Sequence, residues 1–175
     1  MSKFTHLHVP SHYSLLDGLP KIGQLMDRAV ELNMDSIALT DHGNLYGAVE
    51  FQKAAKEKGI KSIIGVEIYL AFEGMEQKRP KIDDTIYHMV LLAKNQKGYE
   101  NLVGILTAGH LEGFYYKPRV DEEFLKNHAQ GLIALSGCLN GKVSRLLQSK
   151  RKKDAENTAL LYQDIFGKGN FIKVH

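Results

Sequence analysis

Short hydrophobic runs alternate along the chain with stretches in which hydrophobic residues recur every three or four positions. Six runs have the length and the Val, Ile and Leu content of buried strands: Phe4–Val9, Ile37–Thr40, Ile63–Leu70, Met89–Ala93, Leu132–Ser136 and Phe171–Val174. Strands that alternate with amphipathic helices are typical of an α/β protein with a parallel sheet. The pattern therefore predicts the α/β class.

The intervening stretches predict four helices from their periodicity and from the residues that can start or stop them. The first follows the turn at 17–20 and stops at Asn33, and the second runs from an N-cap at Asn44 to Gly59. The third carries an apolar face from Tyr99 to Leu106, and the fourth begins near Lys153. Most of the chain between the predicted strands is thus helical.

Two architectures fit this alternation, an open nucleotide-binding sheet and a closed barrel. The open sheet normally has a glycine-rich phosphate loop after its first strand. Residues 10–14 read PSHYS, with no such loop, which favours the barrel. Six strands close a barrel poorly, so we expect residues 1–175 to form one domain that is incomplete at its C-terminal end.

Composition narrows the class of protein only slightly. The 175 residues are 43% hydrophobic and 25% charged with a net charge of +3, which permits contact with a phosphate backbone without requiring it. One cysteine excludes an internal disulfide. No signal peptide and no membrane span are recognisable. We expect a soluble cytoplasmic domain.

Each predicted strand has a metal-capable side chain in it or beside it. These residues are His8, the pair Asp41 and His42, Glu67, His88, Cys138 and His175. α/β barrels build their active sites from residues at strand ends, and His, Cys and carboxylates are zinc ligands. The recurrence predicts a polynuclear metal site. His88 precedes its strand, which places it at the wrong rim unless that strand is misplaced or reversed.

Several motifs resemble those of one known family, in order along the chain. They are HLHVPSHYSLLDG at 6–18, ALTDHGN at 38–44, GVE at 65–67, His88 before LLAK at 91–94, LEGFYYKPR at 111–119 and LSGC at 135–138. Together they resemble the polymerase and histidinol phosphatase (PHP) domain, in the version found at the N-terminus of bacterial replicative DNA polymerases. The resemblance covers about Phe4 to His175.

The resemblance implies a distorted (βα)7 barrel, here lacking its last strand, with divalent metals at one rim. It implies zinc, with manganese or magnesium as alternatives, and a phosphodiesterase of the 3′-5′ exonuclease type. Its implied partners are the rest of a polymerase chain, DNA and a proofreading exonuclease. The implied metal ligands are His8, Asp17, His42, Glu67, His88 and Cys138.

Pro10 departs from the family pattern, which has a histidine at that position. Proline cannot bind a metal, so His12 is a candidate replacement. Two alternatives to an active nuclease stay open: a non-catalytic docking module of a polymerase, and a free-standing phosphatase resembling histidinol phosphatase. Asp41 and His42 are the expected catalytic residues, with Asp41 orienting an imidazole.

A second group of residues suggests contact with DNA. Tyr115, Tyr116, Lys117 and Arg119 combine aromatic rings with cations, so they could stack a base or hold a phosphate, or the tyrosines could pack under a loop. We assign Lys117 and Arg119 as phosphate contacts. The long connection from Leu70 to Tyr87 is expected to form a functional rim.

Overall fold

The computed structural model describes residues 4–172. Their contacts divide the chain into two units, one that ends at Val66 and one that begins at Glu67. The boundary falls inside a strand, and both units contain helices and strands, so the predicted α/β class is confirmed. His175 lies outside the described residues.

The first unit contains two helices beside a short parallel ladder. Its elements are α1 (Ile22–Glu31), β1 (Ser36–Leu39), α2 (Ala48–Glu57) and the first residues of β2 (Lys61–Ala71). β1 and β2 are parallel, with Ser36 opposite Lys61 and Leu39 opposite Ile64. One hydrophobic cluster packs both helices on this ladder: Ile22, Met26, Ala29, Ile37, Leu39, Phe51, Ala55 and Ile60.

Both predicted helices of this unit are present, with one error in a boundary. α1 buries Ile22, and Asn33 follows it with φ of 53°, the left-handed conformation expected of a stop. Asn44 does not cap α2, whose N-cap is Gly47. The Asn44 side chain instead donates to the carbonyl oxygens of Tyr13 and His42, which shapes the loop before the helix.

The predicted first strand, Phe4–Val9, is wrong as a regular strand. Two backbone bonds join this segment to β1 and to the residue after it: Ala38 N donates to His6 O, and Thr40 N donates to Val9 O, both at 2.9 Å. The acceptors are three residues apart and the donors only two, so no regular register forms. Val9 N donates to the Thr40 side chain, and Pro10 has no N–H to continue a ladder.

The second unit carries a mixed sheet and four further helices. After the end of β2, its elements in chain order are β3 (Ile86–Ala93), α3 (Gln96–Leu111), β4 (Arg119–Val120), α4 (Glu122–His128), β5 (Leu132–Leu135), α5 (Lys142–Gln148), α6 (Lys152–Phe166) and β6 (Phe171–Ile172). The strand order is β2-β3-β5-β6, and β4 also pairs with β2.

The expectation of an all-parallel sheet is wrong at β3. This strand is antiparallel to β5, with Val90 opposite Leu135 and Ala93 opposite Leu132. β2 with β4 and β5 with β6 are parallel pairs. Hydrophobic runs buried on both faces look alike in either direction, so the run at 89–93 could not show its orientation.

Arg119 fixes the long connection between β2 and β3. Its side chain is completely buried, and its guanidinium donates to four carbonyl oxygens, those of Met75, Gln77, Asp83 and Gly113, at 2.7 to 3.1 Å. Irregular backbone has no ladder to satisfy its carbonyl groups, and one planar cation here satisfies several of them.

Among the helices that the structure describes, none has the length and hydrophobicity of a membrane-spanning segment.

Candidate metal centre

In the first unit, three of the predicted ligands lie near the loop that follows the N-terminal segment. His42 Nε2 is 3.3 Å from Asp17 Oδ2. The imidazole is largely buried and the carboxylate is 64% exposed, so this pair is open to solvent on the carboxylate side. His8 and Asp17 both line a cavity of about 460 Å³, together with Pro10. A histidine and a carboxylate at this spacing are suitable metal ligands.

Asp41 organises the loop that carries these ligands. It is 1% exposed, and its carboxylate accepts hydrogen bonds from Ser11 N at 2.7 Å and from Ser14 Oγ at 2.7 Å. The Ser11 hydroxyl lies 3.0 Å from both carboxylate oxygens. Ser14 Oγ in turn accepts from His42 N. Asp41 thus acts on the backbone around His42, and its described bonds go to serines, contrary to the expectation that it orients an imidazole.

Ser11 and Ser14 are functional positions that the sequence reasoning missed. Both are almost completely buried, and together they provide every side-chain hydrogen bond described for Asp41. Their three-residue spacing brackets His12 and could have indicated a hydroxyl-lined turn. The turn is tight, because a Cβ on Gly18 would approach Ser11 O to 1.8 Å.

His12, the candidate replacement for the histidine that Pro10 displaces, is not placed among other candidate metal ligands. Its Nδ1 atom is buried and has no hydrogen-bond partner among residues 4–172. Its ring packs against Tyr13 at 4.2 Å. It belongs to no group of three metal-capable side chains within the described part of the chain.

The second unit brings three predicted ligands together. Glu67, His88 and Cys138 offer ligand atoms that all lie within 4.8 Å of one another. His88 Nδ1 is 2.8 Å from Glu67 Oε1 and 3.9 Å from Cys138 Sγ. Glu67 is 2% exposed, His88 is partly buried and Cys138 is exposed. The buried carboxylate and the open thiol leave access from the Cys138 side.

The reversed direction of β3 explains how His88 joins this cluster. Because β3 is antiparallel to β5, the first residues of β3 lie beside the end of β5 and the loop after it. His88 N donates to Asn140 O at 3.1 Å, which fixes the two segments together. Gly137 has φ of 77°, and a Cβ there would approach His88 O to 2.7 Å. The loop needs glycine at this position.

The chemistry of this cluster fits a divalent metal. Atoms bound 2.0 to 2.3 Å from one zinc ion lie roughly 3 to 4 Å apart, close to the separations around His88 Nδ1. Thiolate and imidazole are ligands of zinc, and carboxylate also accepts harder cations. Glu67, His88 and Cys138 could therefore hold one metal, once the thiol and the ring nitrogen are deprotonated.

The two predicted phosphate contacts are placed differently. Lys117 is exposed, and its Nζ lies 5.5 Å from the centre of the Tyr69 ring. Arg119 is buried and its donors point to carbonyl oxygens. The prediction that Arg119 contacts phosphate is wrong, because a side chain without solvent access cannot reach DNA. Its burial lowers its pKa, although a guanidinium stays charged.

These features define an α/β protein with a candidate metal centre of histidine, carboxylate and thiol ligands. Residues 6–173 match the PHP domain family, and the chain belongs to that family. The six predicted ligands all lie within the matched region.

Curated relatives that match the chain are named as a subunit of a bacterial polymerase. The DNA polymerase III subunit alpha of Borreliella burgdorferi is 45% identical over 174 residues, and that of Thermus aquaticus is 47% identical over 178 residues. These matches cover 99% and 98% of this chain but only 15% and 14% of the relatives. The chain thus spans about one seventh of their length.

Solved structures resemble the chain more distantly. A two-domain protein from Bacteroides vulgatus, described as containing a predicted PHP-like metal-dependent phosphoesterase, is 17% identical with a TM-score of 0.47 and is matched over 83% of this chain and 41% of its own. An amidohydrolase from Chromobacterium violaceum is 27% identical with a TM-score of 0.44, over 60% and 32% of the two chains.

Proposed function

We propose that this chain is the PHP domain of a bacterial DNA polymerase III alpha subunit and carries a metal-dependent phosphodiesterase site. The observation that supports this most directly is the cluster of Glu67, His88 and Cys138 within a chain that belongs to the PHP family. The polymerase relatives support the assignment to the alpha subunit, because they match nearly the whole chain. The fold we propose is a distorted (βα)7 barrel.

The proposed ligands form two groups, one in each unit. His8, Asp17 and His42 hold metal in the first unit, while Glu67, His88 and Cys138 hold metal in the second. Zinc is the proposed metal, since thiolate and imidazole favour it, with manganese or magnesium as alternatives. A bound divalent metal would neutralise phosphate charge and lower the pKa of water for attack on a phosphodiester.

The residues of the chain have separate roles in this proposal. Asp41 holds the Ser11–Ser14 turn and so positions the backbone of His42. Glu67 is buried beside His88 and fixes the orientation of that ring. Lys117 attracts the phosphate backbone of DNA. The partners are the rest of the polymerase chain and DNA, with a proofreading exonuclease as a further partner.

Pro10 favours one alternative, a PHP domain that supports the polymerase without hydrolysis. A proline in place of a histidine removes one metal ligand, and His12 forms no replacement group in the described residues. On this basis we propose that the chain binds at most one or two metals and hydrolyses DNA weakly. A free-standing phosphatase is the remaining alternative function.

Metal content and hydrolysis measured together test these readings. Pro10→His should raise both the metal content, by elemental analysis, and the degradation of an end-labelled single strand. His42→Ala should lower the metal content. Strong hydrolysis by the unmodified chain would reject the proposal that its site is impaired. Metal content that is unchanged in His42→Ala would reject His42 as a metal ligand. Faster hydrolysis of a small phosphomonoester than of DNA would favour the phosphatase.

A further inference from the structure

The loop segment that carries Cys138 contributes little apolar surface to the core. Cys138, Leu139 and Asn140 are all exposed, and the Leu139 side chain is 75% exposed. An exposed segment with few buried contacts opens easily unless hydrogen bonds hold it. The position of the thiol relative to Glu67 and His88 therefore depends on the hydrogen bonds that this segment makes.

Asn140 connects two of the proposed metal ligands through its backbone. Its N–H donates to Cys138 Sγ at 3.4 Å, and its carbonyl oxygen accepts a hydrogen bond from His88 N at 3.1 Å. These bonds link the thiol to the strand that carries the imidazole. The separation of 3.9 Å between Cys138 Sγ and His88 Nδ1 thus depends on where Asn140 lies.

The helix that follows this segment, α5, holds it through two side chains. Arg145 Nη2 donates to Asn140 Oδ1 at 3.1 Å, and Gln148 Nε2 donates to Leu139 O at 3.0 Å. Arg145 and Gln148 are three residues apart, so they lie on the same face of the helix. This face of α5 therefore fixes the residues that follow Cys138.

The Arg145 guanidinium also contacts β3. It is partly buried and lies 5.8 Å from the centre of the ring of Tyr87, the residue that directly precedes His88. A cation over an aromatic ring is stabilised there. Among residues 4–172, no carboxylate pairs with Arg145, and its described side-chain hydrogen bond goes to Asn140. Arg145 thus contacts both of the segments that contribute the imidazole and the thiol.

We propose that Arg145 is a positioning residue for the Glu67–His88–Cys138 cluster, which acts through Asn140 to keep the Cys138 thiol within reach of a metal bound by His88. This inference rests on the proposed metal-binding function and adds to it a residue that acts on the ligands without binding the metal. Without Arg145, the segment moves more freely, and Glu67 and His88 are left to bind the metal with the thiol only partly engaged. Residues that orient metal ligands typically change metal affinity by about 10-fold to 100-fold.

Cobalt(II), a spectroscopic substitute for zinc, tests this inference. The chain has one cysteine, so charge-transfer absorption from thiolate to cobalt arises only at Cys138. When cobalt binding is titrated through this absorption, Arg145→Ala should lower the affinity at least about ten-fold and reduce the absorption per bound cobalt. Removal of a cation near a divalent metal would by itself strengthen binding, so such a loss has the opposite sign to a charge effect. Lys97→Ala, which removes a cation that pairs with Glu100, should change neither quantity.

Asn140 provides a second variant and a metal-free measurement. Asn140→Ala keeps both backbone bonds and removes the oxygen that Arg145 contacts, so it should weaken cobalt binding as Arg145→Ala does. The double variant should be no weaker than either single variant, because both changes remove one contact. In the metal-free protein, the His88 amide proton should exchange with solvent at least about three-fold faster in each variant, as measured by NMR.

Three results would overturn the inference. An unchanged cobalt affinity and absorption in Arg145→Ala would reject the role of Arg145, while the absorption of the wild type would still support the metal cluster. Additive losses in the double variant would reject the route through Asn140. Absence of thiolate absorption in the wild type would reject the proposed cluster together with this inference. Urea unfolding shows whether each variant is folded, and Asn140→Ala, at an exposed position, decides the outcome if Arg145→Ala is not.

Discussion

His88 Nδ1 lies 2.8 Å from Glu67 Oε1, although the two residues come from different strands and His88 comes near the beginning of its own. β2, which carries Glu67, is the neighbour of β3 in the sheet, and the antiparallel pairing of β3 with β5 also places the first residues of β3 near the residues that follow β5. The same nitrogen faces Cys138 Sγ at 3.9 Å. One ring atom is thus shared by a carboxylate and a thiol.

The first prediction concerns the thiol. Cys138→Ser should lower zinc affinity at least about ten-fold, since even residues that only support ligands change affinity by that amount. Cys138→Asp should shift the preference from zinc toward manganese, because a carboxylate is a harder ligand than a thiolate. Competition with a chromogenic chelator measures both. His128→Gln is the matched control, since His128 Nδ1 contacts Phe124 O and lies outside the cluster. Equal affinities in all variants would contradict the assignment.

The second prediction concerns the turn beneath His42. Ser14→Ala removes the bond from Ser14 Oγ to Asp41 and leaves His42 N without that acceptor. Loss of a partner by buried polar groups costs about 1–3 kcal/mol, and we expect a decrease of that size in the free energy of unfolding. Metal content should fall as well, because the backbone of a ligand moves. Urea unfolding with elemental analysis measures both effects, and Ser149→Ala, at an exposed position, should change neither.

The third prediction concerns Arg119. Arg119→Lys keeps the charge, but a lysine cannot reach carbonyl oxygens on four residues with a planar fork of donors. We expect a loss of about 3 kcal/mol or more in the free energy of unfolding, since several buried acceptors lose their partner. Arg28→Lys, at an arginine that is 65% exposed, should change it by less than about 0.5 kcal/mol. Similar denaturation midpoints for the two variants would show that the buried guanidinium group is not needed for stability.

The fourth prediction concerns acid stability. Hydrogen bonds from Arg79 lower the pKa of Asp83 to about 2, below the value near 3.9 of an unfolded aspartate. A lowered folded-state pKa stabilises the protein fully above about pH 4, and this stabilisation is lost as the pH falls through about 2. Asp83→Asn should therefore reduce the free energy of unfolding at neutral pH, with a difference from the wild type that shrinks between pH 4 and 2. For Asp84→Asn, a variant at the exposed neighbouring position, the difference from the wild type in the free energy of unfolding should not shrink in this way.

Much of the fold follows from local patterns in the sequence. The stripe that begins at Ile22 and the left-handed stop at Asn33 mark α1 correctly, and Gly167 ends α6 as expected. The two seven-residue helices, α4 and α5, were not predicted. Two turns of helix are too short to display a periodic apolar face.

The errors in the fold concern pairing between distant segments. Nothing in the run from Met89 to Ala93 shows its direction, which depends on its partner strand. The segment from Phe4 to Val9 has the composition of a strand, yet its two backbone bonds to residues 38 and 40 do not keep one register, and Val9 N donates to the side chain of Thr40. Composition determines which residues are buried, whereas tertiary hydrogen bonds determine whether a ladder forms.

The candidate site was predictable in part. Ligand chemistry identified Glu67, His88 and Cys138 as metal-capable, and the structure places them together. Arg119 was misassigned as a DNA contact, because a motif rich in cations does not reveal which cation is buried. Only the positions of the carbonyl oxygens around it show its structural role.

The separation of the ligands along the chain has a consequence for biosynthesis. His88 and Cys138 are 50 residues apart, and they meet only when β3 has paired with β5. Contacts of such long range require closure of a large loop and form late in folding. On the ribosome, a nascent chain that has exposed Glu67 and His88 has no complete binding group until Cys138 has left the exit tunnel. Metal loading at this cluster is therefore expected to follow translation of residue 138 and to report that the second unit has folded.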